Sequence, residues 1–145
     1  MHRNEHTVEI DAPVERVFEF VAEPERMHEW VGGLVEFRKL GPGPQLGSRG
    51  VQVVNMAGRR WELESEITRY EPPHELEARL VHRDFESRAG YRLEEGGGRT
   101  RVTTTMDIEY KQAFARLLAG VVTRQAQRKL EADLARLKQV VERAG

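Results

Sequence analysis

Polar and apolar residues alternate with period two through most of this chain, then shift to a helical spacing near its end. His6, Val8 and Ile10 against Thr7 and Glu9 predict a first strand. Asp11 is placed to cap a helix with Pro13 in its first turn, and Val14, Val17, Phe18 and Val21 follow until Pro24 interrupts them. A second short helix through Met27 to Trp30 stops at Gly32-Gly33. Val35 and Phe37 mark a strand ending at Gly41-Pro42-Gly43-Pro44, and Val51, Val53 and Asn55 mark the next.

Beyond this point the alternation sharpens. Trp61, Leu63, Ser65 and Ile67 oppose Glu62, Glu64 and Glu66. After the corner Tyr70-Glu71-Pro72-Pro73, Leu76, Ala78, Leu80 and His82 share a face, as do Phe85, Ser87, Ala89, Tyr91 and Leu93. Past Gly96-Gly97-Gly98 a last strand turns Val102, Thr104, Met106, Ile108 and Tyr110 inward. One face of this meander is wet and charged, so the other must be covered. Lys111 to about Arg143 supplies the cover, with Phe114, Leu117, Leu118, Val121, Leu130, Leu134, Leu137 and Val141 at helical spacing. Gly120 marks a bend in that helix or a close approach to the sheet. The predicted fold is α+β: a curved antiparallel sheet of about seven strands wrapped around a long C-terminal helix, with two short helices after the first strand.

Composition narrows the classes. A chain of 145 residues with 23 Lys and Arg against 24 Asp and Glu is one domain, residues 1–145, near charge balance. That balance argues against a nucleic-acid binder. Without cysteine there is no disulfide, thiolate metal site or cysteine nucleophile. The histidines at 2, 6, 28, 74 and 82 are scattered, and His28-Glu29-Trp30-Val31-Gly32 lacks the second histidine of a zinc-protease helix, so no metal is expected. No phosphate loop, dinucleotide loop or Gly-x-Ser-x-Gly elbow is present, and no cofactor is expected. No apolar run is long enough to span a membrane, and the polar opening Met1 to His6 does not read as a signal peptide. A cytoplasmic protein is the default expectation. The charged outer face of the sheet points to a monomer or weak dimer. Basic residues of the last helix, interleaved with Glu131, Asp133 and Glu142, read as a solvated face.

Three segments carry a family resemblance: Ile10-Asp11-Ala12-Pro13 followed by Val17-Phe18-Glu19-Phe20-Val21; Glu23-Pro24-Glu25-Arg26-Met27-His28-Glu29-Trp30; and Tyr70-Glu71-Pro72-Pro73 ahead of a strand. In this order, with the long final helix, the chain resembles the START-like (SRPBCC) superfamily, in its polyketide cyclase/dehydrase and lipid-transport branch. The resemblance implies the helix-grip fold, with an apolar cavity between sheet and helix that holds a hydrophobic or aromatic small molecule. Aromatase/cyclases of the superfamily are similar along Trp61 to Ile67, but Ile67 stands where an inward arginine would polarise a substrate carbonyl, which argues against cyclase chemistry.

The inner face fits a cavity on its own terms. Ser65, Ala78, Ser87, Ala89 and Thr104 are small and mid-strand, and the larger Trp61, Leu80, Phe85, Tyr91, Met106 and Tyr110 lie nearer the ends. Close packing of the helix backbone would also use small residues there. The candidate ligand-binding set is Trp30, Phe37, Trp61, Leu63, Ser65, Ile67, Ala78, Leu80, His82, Ser87, Ala89, Tyr91, Thr104, Met106, Ile108, Tyr110, Phe114, Leu117, Leu118 and Val121. His6 and Asn55 join the inward polar groups, and His82 and Tyr110 are the candidate acid–base residues should the protein be an enzyme. Three functions follow: a carrier or sensor of a hydrophobic molecule, which leads; a cyclase- or dehydratase-type enzyme; and a protein-interaction module, which needs a filled cavity and an exposed apolar patch.

Overall fold

The computed structural model describes residues 2–56 and 58–144, with the backbone alone at 2, 114 and 115. Strand β1 (His2–Ile10) leads through helix α1 (Val14–Ala22) and a 3-10 helix (Pro24–Glu29) into β2 (Leu34–Lys39). Then come β3 (Arg49–Met56), β4 (Arg59–Glu71), β5 (Glu75–Val81), β6 (Phe85–Gly96) and β7 (Arg99–Tyr110). Two helices finish the chain, α2 (Ala113–Leu117) and α3 (Ala119–Ala144). The seven strands form one antiparallel sheet in the order β1-β7-β6-β5-β4-β3-β2. Every pairing is a sequential hairpin except β1 on β7, where Val8 meets Val102 and His6 meets Thr104.

Register shifts between Leu34 and Glu36 and between Ile67 and Arg69 insert extra residues. Each such bulge bends and twists its strand, which helps curve the sheet around α3. The outer face is laced by ion pairs such as Arg3–Asp107 and Arg79–Glu86. Solvent reaches at least one partner of each pair, so these contribute solubility and strand register more than stability.

The expected cap of α1 is not the one observed. Pro13 occupies the N-cap position, and the Val14 N–H donates to the Glu95 carboxylate from the β6–β7 hairpin (3.1 Å). Asp11 instead donates its own backbone N–H to Glu142 on α3 (2.8 Å). Gly33 is a fixed point of the 3-10 to β2 turn. Its φ is +74°, a side chain there would meet the Asn55 carbonyl at 2.3 Å, and its own carbonyl accepts the Asn55 N–H at 2.7 Å.

The solid part of the core gathers Ile10, Val17, Phe18, Val21, Leu93 and Val102 against Leu134, Leu137 and Val141 of α3. The single long helix expected from Lys111 to Arg143 is broken at Leu118, and only its later part grips the sheet. At about 100° per residue, Leu117 and Val121 fall on the far side of the helix from Leu130, Leu134, Leu137 and Val141. They are accordingly exposed, as is Leu118. Gly120 makes no close approach to the sheet: a side chain there would meet open space. Among the described residues no helix is long and apolar enough to cross a membrane.

Candidate functional site

Strand register sets the inner face out in rows. One runs Tyr70, Leu76, Tyr91, Thr104, His6, and the next runs Ile67, Ala78, Ala89, Met106, Asn4. The third runs Gly50, Ser65, Leu80, Ser87, Ile108. Ser65, Ala78, Ser87 and Ala89 are thus neighbours, a patch of low relief in the middle of the sheet. Helix α3 crosses above it with Val122, Ala126 and Leu130, and a cavity of about 190 Å³ lies between.

The sheet contributes Leu63, Ser65, Ile67, Ala78, Leu80, Ser87, Ala89, Tyr91, Met106 and Ile108 to its walls, and Phe37 and Trp30 close it from the side. Phe37 reaches in because Gly50 leaves room: a side chain on Gly50 would meet the Phe37 ring at 2.5 Å. Trp30 is fixed by a hydrogen bond from Nε1 to the Phe20 carbonyl (3.0 Å) and stands edge-on to Tyr91, with 6.1 Å between ring centres.

Other expected lining residues lie elsewhere. Trp61 meets His82 and Phe85 edge-on and His82 stacks on Phe85, all three outside the cavity wall, and Trp61 donates to the Met56 carbonyl. The Tyr110 hydroxyl is bonded to Thr123 (3.1 Å). Thr104 is completely buried, with its hydroxyl unpaired among the described residues, outside the cavity. Leu117, Leu118 and Val121 face outward for the reason of helical phase given above, and the Phe114 side chain lies outside the described residues. Asn55 is exposed because β3 turns Gln52, Val54 and Met56 inward instead, and His6 is half-buried away from the site.

Acid–base roles for His82 and Tyr110 therefore have no geometry behind them in this cavity. His82 Nδ1 accepts the Asp84 N–H (3.1 Å), so the neutral ring carries its proton on Nε2. Burial lowers the His82 pKa, outweighing the opposing effect of the Asp84 carboxylate. The unfolded chain then binds the proton more readily, and stability contributed by neutral His82 is lost as pH falls below the ordinary histidine value of about 6.5. Thermal melts of wild type and His82→Gln between about pH 7.5 and about pH 5.5 should show a shallower acid loss in the variant. Parallel profiles would refute this.

The polar groups that do reach the cavity are different ones. The Tyr91 hydroxyl has no hydrogen-bond partner among the described residues. Burial, with a smaller push from the Asp133 carboxylate, raises the Tyr91 pKa well above the usual phenol value, so Tyr91 stays a protonated donor. Ser65, Ser87 and Gln52 offer further neutral groups. Lys129 and Asp133 are the charged members of the wall, and they satisfy each other. Asp133 also accepts the Gly32 N–H at 2.9 Å, tying α3 to the turn before β2.

Asp133 was expected on a solvated helix face and is buried instead. Its spacing held the signal, because it follows Leu130 by three residues and precedes Leu137 by four, in phase with the apolar stripe. Among the described residues no cluster of three or more His, Asp or Glu could hold a metal ion.

Residues 1–142 match the family described as polyketide cyclase / dehydrase and lipid transport. The fold is similar to that of an aromatase/cyclase, ZhuI, from Streptomyces sp. R1128, with TM-score 0.85 and 19% identity over 97% of this chain and 93% of that one. It is also similar to a START superfamily protein from Mycobacterium smegmatis, with TM-score 0.84 and 17% identity over 100% of both chains. A third match is a protein from Thermus thermophilus, TTHA0849, with TM-score 0.84 and 20% identity over 99% of both. No curated protein matches the sequence.

Proposed function

The chain belongs to the polyketide cyclase / dehydrase and lipid transport family, and we propose that it holds a neutral, largely apolar or aromatic small molecule between sheet and α3, as a carrier or sensor. The observation that carries this reading is the character of the cavity wall. It is apolar except for the neutral groups of Tyr91, Ser65, Ser87 and Gln52 and one self-satisfied ion pair. A buried carboxylate would need an unshared cation, and Lys129 is already committed to Asp133. A ligand carbonyl or hydroxyl needs only a donor such as Tyr91.

The aromatase/cyclase neighbour keeps an enzymatic reading in view. On this geometry such chemistry would draw on Tyr91 and Asp133 rather than on His82 and Tyr110. The carrier reading is preferred because Asp133 is already held by Lys129 and Gly32, which leaves no free base facing the cavity among the described residues.

Native mass spectrometry of protein purified from its own host, followed by denaturing extraction, is the test. The expected result is one neutral hydrophobic molecule per chain. An anionic amphiphile, or a protein that stays empty when offered a panel of neutral apolar compounds, would overturn the proposal. With a bound ketone or phenol, Tyr91→Phe is expected to weaken affinity about fivefold, the equivalent of one hydrogen bond of about 1 kcal/mol. Calorimetric titration of the two proteins measures it.

A further inference from the structure

We propose that the corner between α2 and α3 docks on an anionic phospholipid surface. Residues 111–130 carry five cationic side chains, at Lys111, Arg116, Arg124, Arg128 and Lys129, and no Asp or Glu. The other 18 cationic and 24 acidic residues leave the rest of the chain at a formal −6, so the near-neutral total hides a segregated charge.

The pairing is segregated for the arginines, while Lys111 and Lys129 meet Glu86 and Asp133. Across the sheet, guanidinium groups lie against carboxylates, as Arg69 does with Glu75 and Arg88 with Glu77. Arg124 and Arg128 have no carboxylate partner among the described residues, and Arg116 donates to the Tyr110 carbonyl instead.

Exposed leucines and a valine sit inside this basic field. Leu117 is 84% exposed, Leu118 42% and Val121 49%. Helical spacing puts Val121, Arg124 and Arg128 on one face of α3, opposite Ala126 and Leu130, and the break at Leu118 thrusts Leu117 outward at the corner.

This combination selects its partner. A nucleic-acid backbone would satisfy the arginines but leave the aliphatic residues in water. A neutral apolar protein surface would bury the aliphatic residues and strand the arginines. An anionic bilayer takes both, the apolar side chains entering the headgroup–acyl boundary while the cations meet lipid phosphates. Val122, next to Val121, lines the cavity, so the basic corner adjoins one end of the cavity wall.

Docking does not depend on what the cavity holds, and it is tested with full-length protein and no added ligand. Co-sedimentation compares vesicles of phosphatidylcholine mixed with phosphatidylglycerol against phosphatidylcholine alone. Binding to the mixed vesicles, weakened by salt, is expected. Leu117→Ser with Val121→Ser, and separately Arg124→Gln with Arg128→Gln, should each lower the partition about tenfold. Arg92→Gln with Arg101→Gln on the outer sheet face should leave it unchanged. Because the variants alter exposed side chains, unchanged far-ultraviolet dichroism is expected. Independently, Leu117→Trp should show a blue-shifted emission on the mixed vesicles, quenched by brominated lipid. No preference for the anionic vesicles, no shift of the Leu117→Trp emission, or loss with the arginine pair but not the aliphatic pair would overturn the proposal.

Discussion

Ala89→Phe is expected to weaken uptake of a neutral apolar probe, such as a phenylnaphthylamine dye, roughly 100-fold while the protein stays folded. Ala89 lies at the centre of the small-residue patch, beside Ala78 across one strand pair and Met106 across the other, and its methyl group faces the cavity. A phenyl ring built there has one direction to go. It enters the 190 Å³ that a ligand would use. Forcing a ligand and the ring to share that volume costs the several-kcal/mol penalty of overpacking, so affinity should fall roughly 100-fold, the equivalent of about 2.8 kcal/mol. Stability should move the other way or hardly at all. Filling even half of the void recovers up to about 2 kcal/mol at about 24 cal/mol per Å³, offset by a smaller loss of rotamer freedom. Dye titration and a thermal melt on the same sample decide it. Undiminished dye binding would show that the dye sits elsewhere, and a large drop in melting temperature would show that the patch is tight core rather than open volume.

That patch was visible in the sequence because β5, β6 and β4 as far as Ile67 keep strict period-two alternation, so Ser65, Ala78, Ser87 and Ala89 could be assigned to one face without knowing the fold. The same alternation made the charged outer face legible, and with it the antiparallel sheet. Where alternation weakens, so does the reading. In β3, Val51 and Val53 on one face are matched by Val54 and Met56 on the other, and Asn55 drew the wrong parity while Gln52 holds a place in the cavity wall.

Helical phase was the second source of error. Leu117, Leu118 and Val121 were expected to continue the stripe of Leu130, Leu134, Leu137 and Val141, yet at about 100° per residue the two groups belong to different faces, and the chain turns at Leu118. The reverse error concerned Asp133, whose charge suggested solvent although its spacing placed it on the buried stripe. Glu95 as the cap of α1 had no local signature, because it comes from a hairpin 81 residues away. Contacts of that kind are set by tertiary packing and leave no trace in a window of neighbouring residues.

The two halves of the α3 stripe should respond differently to the same substitution. Leu137 is fully buried in the solid half of the core, against residues of α1, β1 and β7. Leu137→Ala removes contacts on every side and leaves a hole its neighbours cannot close, at a cost of about 3 kcal/mol and a fall in melting temperature of roughly 12 °C. Leu130 is also buried, but it borders the cavity and so has no packing partner on that side. Fewer dispersion contacts are lost when it is shortened, and Leu130→Ala should cost only about 1–2 kcal/mol. Chemical denaturation of both variants, analysed with a common slope, gives the comparison. A clearly larger loss for Leu137→Ala means that the helix is packed solidly on the sheet at Leu137 and borders open volume at Leu130. Equal losses would mean that the space beside Leu130 closes in solution, which would remove the volume on which ligand binding rests.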